Sequence, residues 1–306
     1  MPRPATIIGF GALSVDDIYY VDAPLQAGKG RVVRRASAFG GNVATALVAA
    51  ARLGAEASFI GWLDEDSDDP VVAALKKEGV RTNDAPRAAG CRPVRSTITV
   101  GSDGDRFIAF DDDVRLGTAP DLPDSVLASA GALLIDGYAT RSPEAVLRAR
   151  SLGLPVIADM EWSEGEATDL LLKACDHLVL PFGFASLYTG EDRPRDVLHA
   201  LWSDRRSAVV LTDGPNGAYI LGADRRPRHL PPHSVSVVDT TGAGDCFHGA
   251  YAVALVRGYG IGDCVKFAAA AAALSVAGRG GREALPTSRA VDALLEANGA
   301  PEFQAL

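Results

Sequence analysis

Short apolar runs closed by glycine or aspartate alternate along this chain with longer segments whose apolar residues recur at helical spacing. The opening "ATIIGFGA" is one such run and predicts a buried strand. "GNVATALVAAARL", residues 41–53, is rich in helix formers, and Gly54 behind it suits a C-terminal cap. "ASFIGWL" reads as a strand. "DDPVVAALKKEG" reads as a helix, with acids and a proline at its start and a glycine at its end. The second half keeps the rhythm, with strands at "ALLID", "PVIAD", "HLVL" and "AVVLTDG" and helices at "SPEAVLRARSLG", "EATDLLLKA" and "RDVLHALW". Such alternation predicts βαβ units: an α/β fold with a mainly parallel central sheet and helices on both of its faces.

Two stretches break the rhythm. "VDDIYYVDAPL" through "RVVRRASAF" has strand-type residues and no helix between them, and "PVRSTITVGSDGDRFIAF" is a hairpin around "SDGD". Together, over about 12–37 and 93–111, they predict a small antiparallel sheet projecting where the main strands end. Such a sheet is either a lid over a site or a decorative edge, and the pattern does not choose between them. Its runs "DIYYV" and "STITV" are expected to leave free apolar edges, a liability unless covered. No repeat or low-complexity linker interrupts the chain, so one domain is expected over residues 1–306.

Composition narrows the function. With 47% hydrophobic and 23% charged residues the chain is ordinary globular material. A net charge of -9 argues against a general nucleic-acid binder, which needs a basic face. The most apolar stretch, "FAAAAAALSVAG", is shorter than the roughly 18 residues of a membrane span and reads as a buried helix. No membrane partner is expected. Four scattered cysteines without a C-x-x-C pair, and an opening run too short for a signal peptide, predict reduced thiols and a cytoplasmic location. The five histidines, at 177, 199, 229, 233 and 248, show no metal-ligand spacing.

The stretch that asks for chemistry is "VVDTTGAGDCFHGA", Val237 to Ala250. Apolar residues at helical spacing follow Asp245, and Gly258 is placed to end the helix, so "TGAGD" stands at a helix N-terminus. The first amides of a helix lack internal partners and the dipole adds positive potential there. With glycine and alanine in that turn, no side chain keeps an anion from those amides, and phosphate is the natural occupant. The alternative is that Asp245 merely caps the helix. Other glycine-rich stretches are weaker. "GFGALS" lacks the third glycine and the following helix of a dinucleotide fingerprint, and "GKG" at Gly28 lacks the rest of a Walker loop.

"DTTGAGDCFHGA" resembles the C-terminal signature of the ribokinase-like (PfkB) family of sugar kinases. "FGGNVATALVAAARLG" resembles that family's N-terminal signature, and "LTDGPNGAYIL" its T-x-G-x-x-G nucleotide loop. The resemblance spans essentially the whole chain. It implies a ribokinase-like α/β/α fold with a β lid, and an ATP-dependent kinase acting on a hydroxymethyl group of a sugar or similar molecule, with Mg2+. By position Asp245 would be the base, and the amides of Gly242, Ala243 and Gly244 the anion hole. Asp16, Ser14, Gly40, Gly41, Asn42 and Thr45 would hold the sugar. Thr212, Gly214, Gly217, Thr241, Gly242 and Gly244 would approach the nucleotide. Asp239, Thr241, Gly278 and Gly280 would surround a monovalent cation, K+. The resemblance also implies a homodimer joined through the lids.

Departures from that pattern bear on the substrate and on magnesium. Ser14 and Thr45 stand where many members carry asparagine. The usual N-x-x-E is replaced by Phe182 and Ala185, with Asp159 and Glu161 as substitutes or as ordinary strand-end acids. The C-terminal third resembles sulfofructose kinases, without a match for their sulfonate-binding arginine near Tyr138. A nucleoside kinase of the same fold, expected to show a more aromatic pocket near Asp16, and a non-catalytic binding protein are the other readings. Arg279 and Arg282 are either phosphate-facing or solvent-facing, "DDD" at 111–113 reads as solvated, and the tryptophans and His248 read as plain core or surface residues.

Overall fold

The computed structural model describes residues 6–65, 70–111, 122–297 and 301–306; Asp68, Asp69, Asp112 and Asp113 lie outside them. In chain order the elements are β1 (Thr6–Gly11), β2 (Ser14–Val21), β3 (Val32–Gly40), α1 (Asn42–Arg52), β4 (Glu56–Gly61), α2 (Pro70–Lys77), β5 (Val80–Arg81), β6 (Val94–Val100) and β7 (Arg106–Asp111). Then come α3 (Asp124–Ala128), β8 (Ala132–Ile135), α4 (Pro143–Ser151), β9 (Val156–Ala158), α5 (Glu166–Ala174), β10 (His177–Pro181), α6 (Phe182–Thr189), α7 (Pro194–Leu201) and β11 (Ala208–Thr212). The chain ends with β12 (Ala218–Gly222), β13 (Arg228–Leu230), α8 (Ala243–Val256), α9 (Ile261–Ser275), α10 (Ser288–Ala297) and β14 (Gln304–Ala305).

Ten strands form the main sheet in the order β14-β13-β12-β11-β10-β9-β8-β1-β4-β5. From β11 to β5 every pairing is parallel, and β12, β13 and β14 add an antiparallel extension at one edge. β1 is buried along its whole length because helices cover both faces. Its period-two alternation sends Ile7 to one core, shared with α1, α2, α8 and α9, and Ile8 and Phe10 to the other, shared with α4, α5 and α7. Each such side chain contributes roughly 1.5–3 kcal/mol when fully buried. The two cores clamp the sheet, so the loops at its C-terminal rim are presented on a rigid base. Cys91, Cys175, Cys246 and Cys264 are free and buried, and no helix among the described residues is long and apolar enough to cross a membrane.

The second sheet has the order β3-β2-β6-β7, antiparallel at β2/β3 and β6/β7 and parallel at its centre, β2/β6. It leaves the main sheet directly after β1, and Ile18, Tyr20, Ile98 and Val100 form its own small core. The expectation that "DIYYV" and "STITV" carry free edges is corrected here. Those runs are β2 and β6, the two inner strands, and the edges are β3 and β7. Alternation reports which face of a strand is buried but not which neighbours it has. The exposed apolar side chains follow the true edges: Val33 is 60% exposed, Phe107 65% and Phe110 56%.

Candidate active site

The site lies where two helix N-termini meet the second sheet. α8 begins at Gly242, whose φ of 75° is a left-handed conformation that glycine adopts freely. A Cβ at Gly242 would also strike the backbone of Gly281. No side chain caps α8, and Asp245 is its third residue. Asp245 is therefore not the cap, and the start of the helix stays open. α1 begins in the same way, behind Gly41 with no side-chain cap. Gly40 precedes it because any side chain there would collide with the Asp16 carboxylate and the Ser14 hydroxyl.

A pocket of about 320 Å³ joins these parts. Its walls include Ser14, Asp16, Gly40, Gly41, Asn42 and Thr45 on one side and Thr241, Gly242, Gly244 and Asp245 on the other. Ser14 Oγ donates to Asp16 Oδ1 at 2.8 Å. Burial raises the pKa of Asp16 above the usual carboxylate value, opposed by hydrogen bonds from Ser14 and Ser96 and by the charge of Arg282. Burial also pushes Asp245 well above the carboxylate range, with Asp159 and Glu161 adding to the effect and His248 and Arg106 opposing it.

Several pocket residues carry no local signal in the sequence. Arg106, at the start of β7, donates from Nη1 to Thr240 Oγ1 at 2.8 Å, while Thr240 Oγ1 donates to Gly104 O at 3.2 Å. These bonds tie the second sheet to the loop in front of α8. The Nε of Arg106 is buried without a partner. Arg282 is half-buried and turned toward the site: its Nε donates to Thr45 Oγ1 at 3.2 Å and its Nη2 to Gly40 O at 3.0 Å. Burial pushes its pKa down to about 10, and Asp16 and Asp245 hold it up. Arg279 stays exposed, over the Tyr20 ring. Trp162 is not plain core. It lines the pocket with Tyr138 and Phe110, 5.4 Å and 6.5 Å from their ring centroids.

The nucleotide-loop candidates lie outside that pocket. Thr212 closes β11 level with Pro181 of β10, and Gly214 and Gly217 follow, so they stand on the same C-terminal rim. Asp239 knits the cation candidates together: its Oδ1 accepts from Thr241 N, and its Oδ2 accepts from Gly280 N and Tyr20 OH, each at 2.9 Å. Those bonds occupy its carboxylate. The Thr241 hydroxyl is buried without a partner, an oxygen that suits a hard monovalent cation.

Where N-x-x-E is missing, Phe182 packs its ring 6.2 Å from Tyr219 and Ala185 is buried. Glu161 reaches the pocket, whereas Asp159 is buried beneath it, facing His248. Among the described residues no group of three His, Cys, Asp or Glu side chains is arranged for a metal ion.

A family model described as pfkB family carbohydrate kinase matches residues 5–288. The chain belongs to the pfkB family. It is 28% identical to fructokinase-1 of Oryza sativa subsp. japonica, covering 96% of this chain and 98% of that one. A crystal structure of a proposed ribokinase from Agrobacterium tumefaciens superimposes with a TM-score of 0.86 at 28% identity, over 95% of this chain and 97% of that one. The Arabidopsis thaliana ribokinase solved with ribose and ATP shares the fold, with a TM-score of 0.78 at 23% identity over 97% and 99%. As a pfkB member the chain is a ribokinase-like α/β protein and a carbohydrate kinase, a phosphotransferase with an alcohol acceptor.

Proposed function

We propose that this enzyme transfers the γ-phosphoryl group of ATP to a hydroxymethyl group of a sugar or sugar derivative, with Asp245 as base. The observation that carries the reading is the placement of Asp245 just beyond the uncapped start of α8, on the same pocket as Asp16. The Asp16 carboxylate can accept from two adjacent hydroxyls, and Asn42 offers a donor and an acceptor beside it. The amides of Gly242, Ala243 and Gly244 receive the transferring group, and Arg106 brings a lid cation to the same place. Phosphoryl transfer asks for such positioning and charge stabilisation more than covalent help.

Thr212, Gly214 and Gly217 approach the nucleotide, for which the ATP complex of the Arabidopsis ribokinase offers a precedent. Magnesium is read as arriving with ATP, whose phosphates supply oxygen ligands. A monovalent cation such as K+ would be held by oxygens of Asp239, Thr241, Gly278 and Gly280, where it would steady the two loops beside the anion hole. The aromatic wall of Phe110, Tyr138 and Trp162 favours one second reading, a nucleoside kinase, since a planar base stacks on such faces.

The test is ADP release with ATP and magnesium on fructose, ribose, a six-carbon acid sugar and adenosine side by side. A six-carbon sugar is expected to win. Adenosine winning by a wide margin would transfer the assignment to the second reading. ATP binding without turnover on any acceptor would leave a non-catalytic binding protein.

A homodimer is proposed through the second sheet, because Val33 and Phe107 stand in the open on its two edge strands. Light scattering at micromolar concentration is expected to give twice the chain mass. A fully active monomer would remove the dimer.

A further inference from the structure

His248 lies on α8 one turn beyond Asp245 and is 2% exposed. Its Nδ1 is 2.7 Å from Gly244 O, and its Nε2 is 2.7 Å from Val179 O on β10. Carbonyl oxygens only accept. A neutral imidazole has one N–H, so either tautomer would point a lone pair at one of these oxygens at contact distance. The third neighbour is a buried carboxyl: Asp159 Oδ2 lies 3.4 Å from Nδ1, in a side chain that is 1% exposed. Two carbonyl oxygens, one at each ring nitrogen, are satisfied together by a doubly protonated ring.

We propose that His248 is a buried imidazolium that positions the first turn of α8 and serves as the resident counter-charge beneath the catalytic carboxylate. The inference rests on the reading of Asp245 as the base. Its first part is mechanical. The carbonyl that Nδ1 engages belongs to the Gly244–Asp245 peptide, so the ring fixes the plane of that peptide and ties it through Val179 to β10. Its second part is electrostatic. Asp245, Asp159, Glu161 and Asp136 bring four acids to one end of the sheet, and a base there must stay ionised to take a proton. The cations facing the group are His248 on α8, Arg106 from β7 and Arg282 from the loop after α9. Of these, His248 is the one on the Asp245 helix itself, with Asp159 3.4 Å from its Nδ1.

Removing the charge should therefore raise the pKa of Asp245, so that the base ionises only at higher pH. His248→Gln keeps a donor of similar reach and drops the charge; His248→Asn is the second variant should the first fail to fold. The acid limb of the kcat profile is expected to move up by about one pH unit, with turnover recovering on the alkaline side and both KM values little changed. A merely structural role would lower kcat evenly across pH and leave the limb in place, and that result would overturn the electrostatic part.

An independent arm needs no turnover. Long-range nitrogen–proton NMR correlations of the imidazoles, with His248 assigned by the signal lost in the variant, are expected to show both ring nitrogens protonated at neutral pH. A neutral tautomer would overturn the proposal outright. A protein with no kinase activity and a cationic His248 would overturn the assignment of Asp245 instead, so the two failures are distinguishable.

Discussion

Replacing Asp245 by asparagine is expected to lower turnover by at least about 100-fold, the usual cost of losing a positioned general base. The substitution is close to isosteric and leaves the helix start untouched, because Asp245 makes no capping bond and α8 is entered through Gly242. ATP binding, read by calorimetry, should survive. A raised pKa makes Asp245 a stronger base when ionised, and the cations around it keep that form accessible. The acceptor hydroxyl need release its proton only late in a loose transition state, so a carboxylate suffices. Near-normal kcat in a folded Asp245→Asn protein would remove this residue from the chemistry, and the anion hole with Arg106 would then have to account for catalysis alone.

Much of this was legible in the chain because local chemistry and tertiary role agree at the signature segments. The glycines that open α8 and α1 are where the backbone must bend left-handed or come close to a neighbour, and Gly242 and Gly41 have φ of 75° and 96°. Helices with marked ends, such as α4 with Ser142 before it and Pro143 opening it, were placed by the same kind of signal. α6 escaped because "FGFASLYT" is apolar on most sides and gives no face to detect. β12, β13 and β14 escaped because short strands at a sheet edge, flanked by arginines and prolines, look like loop.

The site was half legible for a different reason. Asp16, Asn42 and Asp245 sit in recognisable strings, but Arg106, Tyr138, the neighbours Glu161 and Trp162, and Arg282 come from four separate segments that only the folded topology assembles. His248 stood inside the most informative string and still looked plain. Its partners, Val179 and Asp159, are about 70 and 90 positions away in the chain, beyond any local pattern.

Asp16→Ala is expected to raise the KM for the acceptor about 10- to 100-fold while the KM for ATP stays near its original value, as loss of hydrogen bonds to a charged group implies. Asp16 is 9% exposed, accepts from Ser14, and faces the charge of Arg282, so its carboxylate is held in one orientation before any substrate arrives. A site built for hydroxyls discriminates by leaving its own polar groups unpaired when the ligand lacks them. Ser14 and Thr45 line that end of the pocket with side chains shorter than asparagine, and on this ground a hexose or ketohexose derivative is expected before a pentose. Asp16→Asn separates charge from shape: it keeps one acceptor oxygen, so its KM should fall between those of the wild type and Asp16→Ala. The measurement is the acceptor and ATP KM for all three proteins on the best substrate from the panel. An unchanged acceptor KM in Asp16→Ala would mean that the hydroxyls are held elsewhere, and the aromatic wall at Trp162 would become the place to look.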